Sequence, residues 1–137
     1  MQDEQLEPSP EHANRLTDAL RRYWGFDSLR PLQRRAIAAA MAGRDSLLVM
    51  PTGGGKSLCY QLPPLIDNRL DVVISPLISL MKDQVDGLNE VGVPAAAIHS
   101  ALTPEQRRDI YSRIHSGKLR LLFTSPERLV GERFLSM

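Results

Sequence analysis

At 137 residues, with 42% hydrophobic and 24% charged side chains, the chain has the size and composition of one ordinary globular domain. Lys+Arg 17 against Asp+Glu 16 excludes a global basic field, so any nucleic-acid binding must come from a local patch. A single cysteine, Cys59, excludes an intrachain disulfide and a cysteine metal cage. The polar, acidic start MQDEQLEPSPEH is no signal peptide, and no apolar run reaches the ~18 residues of a membrane span, so the expectation is a soluble cytoplasmic protein without membrane contact.

In chain order, residues 1–9 read as a disordered tail. Ser9-Pro10 reads as an N-cap and first helical position, with Ala13, Leu16, Leu20 and Tyr23 at helical spacing up to Gly25. A second helix is predicted from Pro31 through Leu32, Ile37 and Met41 to Gly43. SLLVM, 46–50, is a short apolar run suited to a strand buried on both faces, and DVVIS (71–75), AAAIH (95–99) and LRLLFT (119–124) repeat the pattern. Between them, 79–91 carries Leu80, Val85, Leu88 and Val91 near one helical face. Thr103-Pro104-Glu105-Gln106 is a capping-box pattern that opens a helix ending at Gly117. Strand alternating with helix predicts an α/β fold with a parallel sheet flanked by helices.

Directly after the first predicted strand stands Met50-Pro51-Thr52-Gly53-Gly54-Gly55-Lys56-Ser57, and Ser57 to Leu62 can open a helix. Ordering three consecutive glycines costs more backbone entropy than almost any other run, and a bound polyanion offsets that cost. Without Cβ atoms, successive amide N–H groups turn inward around a phosphate oxygen; Lys56 adds charge toward the outer phosphates and the Ser57 hydroxyl can ligate Mg²⁺. The strict phosphate-loop pattern wants glycine at position 50, where this chain has methionine. The bland alternative is a flexible loop before an ordinary helix.

Four separated motifs carry a more specific resemblance: Trp24-Gly25-Phe26 with Leu29-Arg30-Pro31-Leu32-Gln33, then MPTGGGKSLCYQLP, then Ser75 to Gln84 (SPLISLMKDQ), then Ser125 to Leu129 (SPERL). In this order, from about residue 16 to the end, they resemble the N-terminal part of the first motor domain of RecQ-family DNA helicases. The resemblance implies a RecA-like P-loop NTPase domain over 10–137, incomplete at its C-terminus. It also implies ATP and Mg²⁺ as cofactors, and single-stranded DNA and duplex junctions as partners. Phe26 would stack on adenine, Gln33 would pair with its N6/N7 edge, and Arg30 would lie beside the nucleotide. Thr52, Gly53, Gly54, Gly55, Lys56 and Ser57 would hold the phosphates and metal, with Lys56 as the catalytic cation. Ser79, Lys82, Thr124 and Arg128 are expected to meet DNA, whereas Leu77, Ile78, Leu80 and Met81 serve the fold.

The structural alternatives are core packing for Trp24 and Phe26, and a solvated helix face for Gln33. His99 reads as a structural histidine; His12 and His115 read as surface residues.

The family's Asp-Glu-x-His motif, which holds the metal and orients the attacking water, occurs nowhere in the chain. The expectation is therefore a fragment of a longer protein, or a truncated gene product, whose parent performs ATP-driven 3′–5′ DNA unwinding in recombination and repair, nucleoid-associated if bacterial. The 137 residues alone would bind nucleotide weakly and without turnover. A DEAD-box-type RNA helicase should show a Pro-Thr-Arg-Glu-Leu type segment where SPLISLMKDQ stands. A small-molecule kinase or other non-motor P-loop protein would show no DNA stimulation of its ATPase.

Overall fold

The computed structural model describes residues 7–51, 53 and 55–129, the side chains of Arg128 and Leu129 excepted. The chain divides into two units, residues 1–68 and 69–137.

The first unit is helical. Helix α1, Pro10–Ala19, starts where its sequence asks: the Ser9 hydroxyl accepts the His12 N–H at 3.2 Å, and Pro10 occupies the first turn, where no N–H is needed. A π-helical turn, Leu20–Trp24, follows and stops at Gly25, whose φ of 70° suits a residue without Cβ. Helix α2 spans Pro31–Met41, with Gly43 in the left-handed region just past its cap Ala42. Short helices α3, Leu58–Gln61, and α4, Pro63–Ile66, are separated at Leu62 although Leu62 itself has helical dihedrals. Pro63 and Pro64 have no N–H to give, which removes two successive ladder bonds. Leu16, Leu20, Ile37, Leu58, Leu62 and Ile66 form this unit's core, with Trp24 partly buried against them, so core packing holds for Trp24.

The expected tail over 1–9 is reached by the description only from residue 7, and there Glu7 pairs with Arg34 at 2.8 Å. His12, expected on the surface, is half-buried, and its Nε2 lies 3.2 Å from the Asp67 carboxylate just after α4.

The second unit is a three-stranded parallel sheet with helices. Strands β1, Asp71–Ile74, β2, Ala95–Ile98, and β3, Leu121–Thr124, stand in the order β1-β3-β2. Asp71 is in register with Leu121 and Leu121 with Ala95. Central β3 is buried along its whole length, as a strand paired on both sides and covered on both faces must be, whereas β1 alternates between half-buried and exposed. Helix α5, Ile78–Glu90, joins β1 to β2, and α6, Pro104–His115, joins β2 to β3; α7, Pro126–Leu129, follows. The predicted capping box at α6 is present in both directions: Thr103 Oγ1 accepts the Gln106 N–H and Gln106 Oε1 accepts the Thr103 N–H. One core cluster here consists of Ala96, Ile98, Ile110, Leu119 and Leu122.

Two expectations are corrected. The run 46–50 is not a strand; it is irregular, with Leu47 93% and Val49 82% exposed. A strand is stable only when a neighbour takes its N–H and C=O groups, and no described strand stands beside this one. In α5 the buried face is Met81 and Leu88, with Val85 half-buried between them, whereas Leu77, Ile78, Leu80 and Val91 are exposed.

Candidate nucleotide site

Phe26, Arg30, Gln33, Gly53, Gly55, Lys56 and Ser57 all lie in the first unit. Arg30 caps α2 with extended dihedrals, and Pro31 fixes the first helical φ. Three residues on, Gln33 folds back, and its Oε1 accepts the Arg30 N–H at 2.9 Å. The same carboxamide turns its nitrogen the other way and donates to the Gly55 carbonyl at 2.9 Å. Arg30 reaches the loop too, its guanidinium donating to the Gly53 carbonyl at 3.3 Å. One short motif thus holds the glycine loop at two carbonyls, and Gln33, only 4% exposed, is a buried bridge rather than a solvated helix residue.

The glycines are needed where they stand. Gly53 has φ 83° and Gly55 φ 80°, both in the left-handed region that side chains with a Cβ rarely adopt. At Gly55 a Cβ would also run into the Gln33 amide nitrogen. Thr52 and Gly54 lie outside the described residues. Lys56 is exposed and has no ion pair among the described residues. Ser57 caps α3 through its carbonyl, which accepts from Tyr60 and Gln61, and no backbone N–H of the helix claims its hydroxyl. Cys59 in α3 is half-buried, and burial pushes its thiol above the ordinary range.

Beside the loop is a cavity of about 380 Å³ whose lining includes Phe26, Asp27, Arg30, Gln33, Gly55 and Leu58. Phe26, 52% exposed, presents its ring there rather than in the core. Phe26, Arg30, Gln33 and the loop are the candidates the sequence names; that Gln33 caps α2 and fastens Gly55 was not expected from it. The signal was present: Arg30-Pro31-Leu32-Gln33 has the same proline and glutamine spacing as Thr103-Pro104-Glu105-Gln106. The donor set fits a nucleotide: Phe26, Arg30, Gln33 and Gly55 line the cavity, and the exposed Lys56 and the Ser57 hydroxyl follow Gly55 directly in the chain.

The residues expected to meet DNA lie in the second unit and are not alike. Ser79 is exposed in the first turn of α5. Lys82, one turn on and fully exposed, bonds Asp86 at 3.0 Å, and that bond together with the nearby Asp86 charge raises its pKa. Thr124 is 0% exposed and its hydroxyl has no partner among the described residues, so it sits in the core instead of on a DNA-facing surface. Arg128 lies in α7, its side chain outside the description. His99 has the structural role expected of it: its Nδ1 accepts the Ala101 N–H at 3.2 Å, closing the turn after β2.

A family model described as DEAD/DEAH box helicase matches residues 30–135. The chain is 46% identical over 117 residues to the ATP-dependent DNA helicase RecQ of Synechocystis sp., covering 85% of this chain and 24% of that protein. It is 47% identical over 118 residues to RecQ of Haemophilus influenzae, covering 86% and 19%. It is also 47% identical over 111 residues to ATP-dependent DNA helicase Q4 of Homo sapiens, covering 78% and 9%. It thus spans a quarter or less of the length of these relatives. Among solved structures, the DUF1998 helicase MrfA bound to DNA aligns with a TM-score of 0.71 at 24% identity, over 94% of this chain and 20% of that one. That likeness, with the parallel sheet and glycine loop, identifies the fold as RecA-like. With the family model matched over most of its length and relatives of this kind beside it, the chain belongs to the DEAD/DEAH box helicases, on their RecQ branch.

Proposed function

We propose that this chain supplies the nucleotide-binding part of an ATP-dependent DNA helicase that unwinds in the 3′–5′ direction. The observation that carries this reading is the double fastening of the glycine loop by Arg30 and Gln33. With the carbonyls of Gly53 and Gly55 drawn to these side chains, the loop's amide groups are left for a phosphate. Bound ATP and Mg²⁺ supply the scissile phosphoanhydride and the charge that neutralises it. Lys56 faces the outer phosphates, and the Ser57 hydroxyl holds the metal.

Gln33 keeps one N–H and one oxygen lone pair after its bonds to Gly55 and Arg30, the complement of an adenine N6/N7 edge. Phe26 stacks on the base. Ser79, Lys82 and Arg128 are the chain's contribution to the DNA path; Lys82 brings a charge already shared with Asp86, so its phosphate contact is a weak, salt-sensitive one.

The experiment is DNA-stimulated ATP hydrolysis by the full-length protein. Lys56→Ala is expected to lower kcat by about 100-fold or more, the scale at which preorganised charge acts on a transition state. Turnover within a few-fold of the parent, or hydrolysis that DNA leaves unchanged, overturns the reading.

A further inference from the structure

Among the described residues β2 pairs only with β3, and its other flank has no strand beside it there. An open edge of backbone donors and acceptors is a template for a further strand. Here a side chain takes that place. Asn89, near the end of α5, donates its amide N–H to the Ala95 carbonyl at 3.2 Å and accepts the Ala95 N–H at 3.0 Å. A carboxamide carries a donor and an acceptor side by side, as a peptide group of an adjacent strand does, and on Ala95 it satisfies both.

We propose that Asn89 acts as a surrogate strand residue that closes the β2 edge against pairing with a second copy of this chain. The strand needs such a plug. Its first three residues are alanines, which put no bulky or charged side chain in the way of an incoming strand. The edge runs along an open groove of about 510 Å³ whose lining includes Asn89, Ala95, Ala97, Leu102, Asp109 and Arg113. Ala97 in that groove is only half-buried, and both hydrogen bonds of the Asn89 carboxamide go to Ala95. The natural devices that blunt an edge are charge, proline, a bulge or cover, and Asn89 provides the cover. The competing role is a clamp on the turn between α5 and β2, which affects stability and not association.

The test uses the full-length protein and its Asn89→Ala, Ala97→Lys and doubly substituted variants, with self-association followed by sedimentation over a concentration series. Asn89→Ala is expected to tighten self-association by about tenfold, the weight of one net hydrogen bond gained across the edge. Ala97→Lys in the same background returns it to the parental value by charging the edge, and alone leaves it there. Hydrogen exchange at the Ala95 amide is expected to accelerate in Asn89→Ala at dilutions where it is monomeric. Faster exchange with unchanged association overturns the proposal, because the edge is then open and does not pair. An insoluble Asn89→Ala that Ala97→Lys restores supports it; one that stays insoluble with the lysine is a folding defect and also overturns it.

Discussion

The space into which Gly55 would place a Cβ is already filled by the Gln33 amide nitrogen, and the backbone there has φ 80°. Gly55→Ala therefore meets two separate penalties: about 1–2 kcal/mol for a left-handed alanine, and displacement of a buried carboxamide. Gln33→Ala removes the second obstacle but leaves the Arg30 N–H and the Gly55 carbonyl without their partner, at about 1–3 kcal/mol. The double substitution is expected to cost less than the sum of the two singles, measured by chemical unfolding; strict additivity would mean that the two residues do not touch. In the full-length enzyme, Gln33→Ala is also expected to weaken ATP more than GTP, read as a larger rise in KM for ATP. Equal losses would confine Gln33 to holding the loop. The glycines and the lysine were legible from their order along the chain. The bridging role of Gln33 was not, because it depends on the Gly55 carbonyl standing over the first turn of a helix that begins far earlier in the sequence.

Helix α5 shows what periodicity does and does not decide. Its apolar residues allow two phases, one through Leu80, Leu88 and Val91 and one through Met81, Val85 and Leu88, and both follow helical spacing. Only the position of the sheet chooses between them, and it takes Met81 and Leu88. Met81→Ala is expected to cost about 2–5 kcal/mol, as truncation of a fully buried side chain does. Leu80→Ala, on the exposed row, should stay within about 0.5 kcal/mol of the parent in the same denaturation experiment. A large loss at Leu80 with none at Met81 would restore the original phase of the helix. Capped helix starts were the most legible elements, since Ser9-Pro10 and Thr103-Pro104 state their hydrogen bonds locally. The run 46–50 was the least: an apolar strand signature specifies a desire for burial, and the ladder partner that satisfies it comes from elsewhere in the chain.

At the scale of the whole chain, composition foretold a globular domain and the alternation of strand and helix signals an α/β fold, but neither foretold the division into two units. Leu16, Leu20, Ile37, Leu58, Leu62 and Ile66 come only from residues 1–68, and Ala96, Ile98, Ile110, Leu119 and Leu122 only from residues 69–137. A core cluster of its own in each unit lets local stability differ between them. Leu62→Ala, at a site with no exposed surface, is expected to remove about 2–5 kcal/mol from the first unit. Native-state hydrogen exchange should then show lost protection in α1, α2 and α3, with β1, β2 and β3 close to parental values. Leu122→Ala should produce the reverse pattern and leave the glycine loop's fastening by Arg30 and Gln33 intact. Were either truncation to lower protection equally in helices and strands, the chain would unfold as one cooperative body, and the nucleotide site would depend on the sheet as strongly as on its own helices.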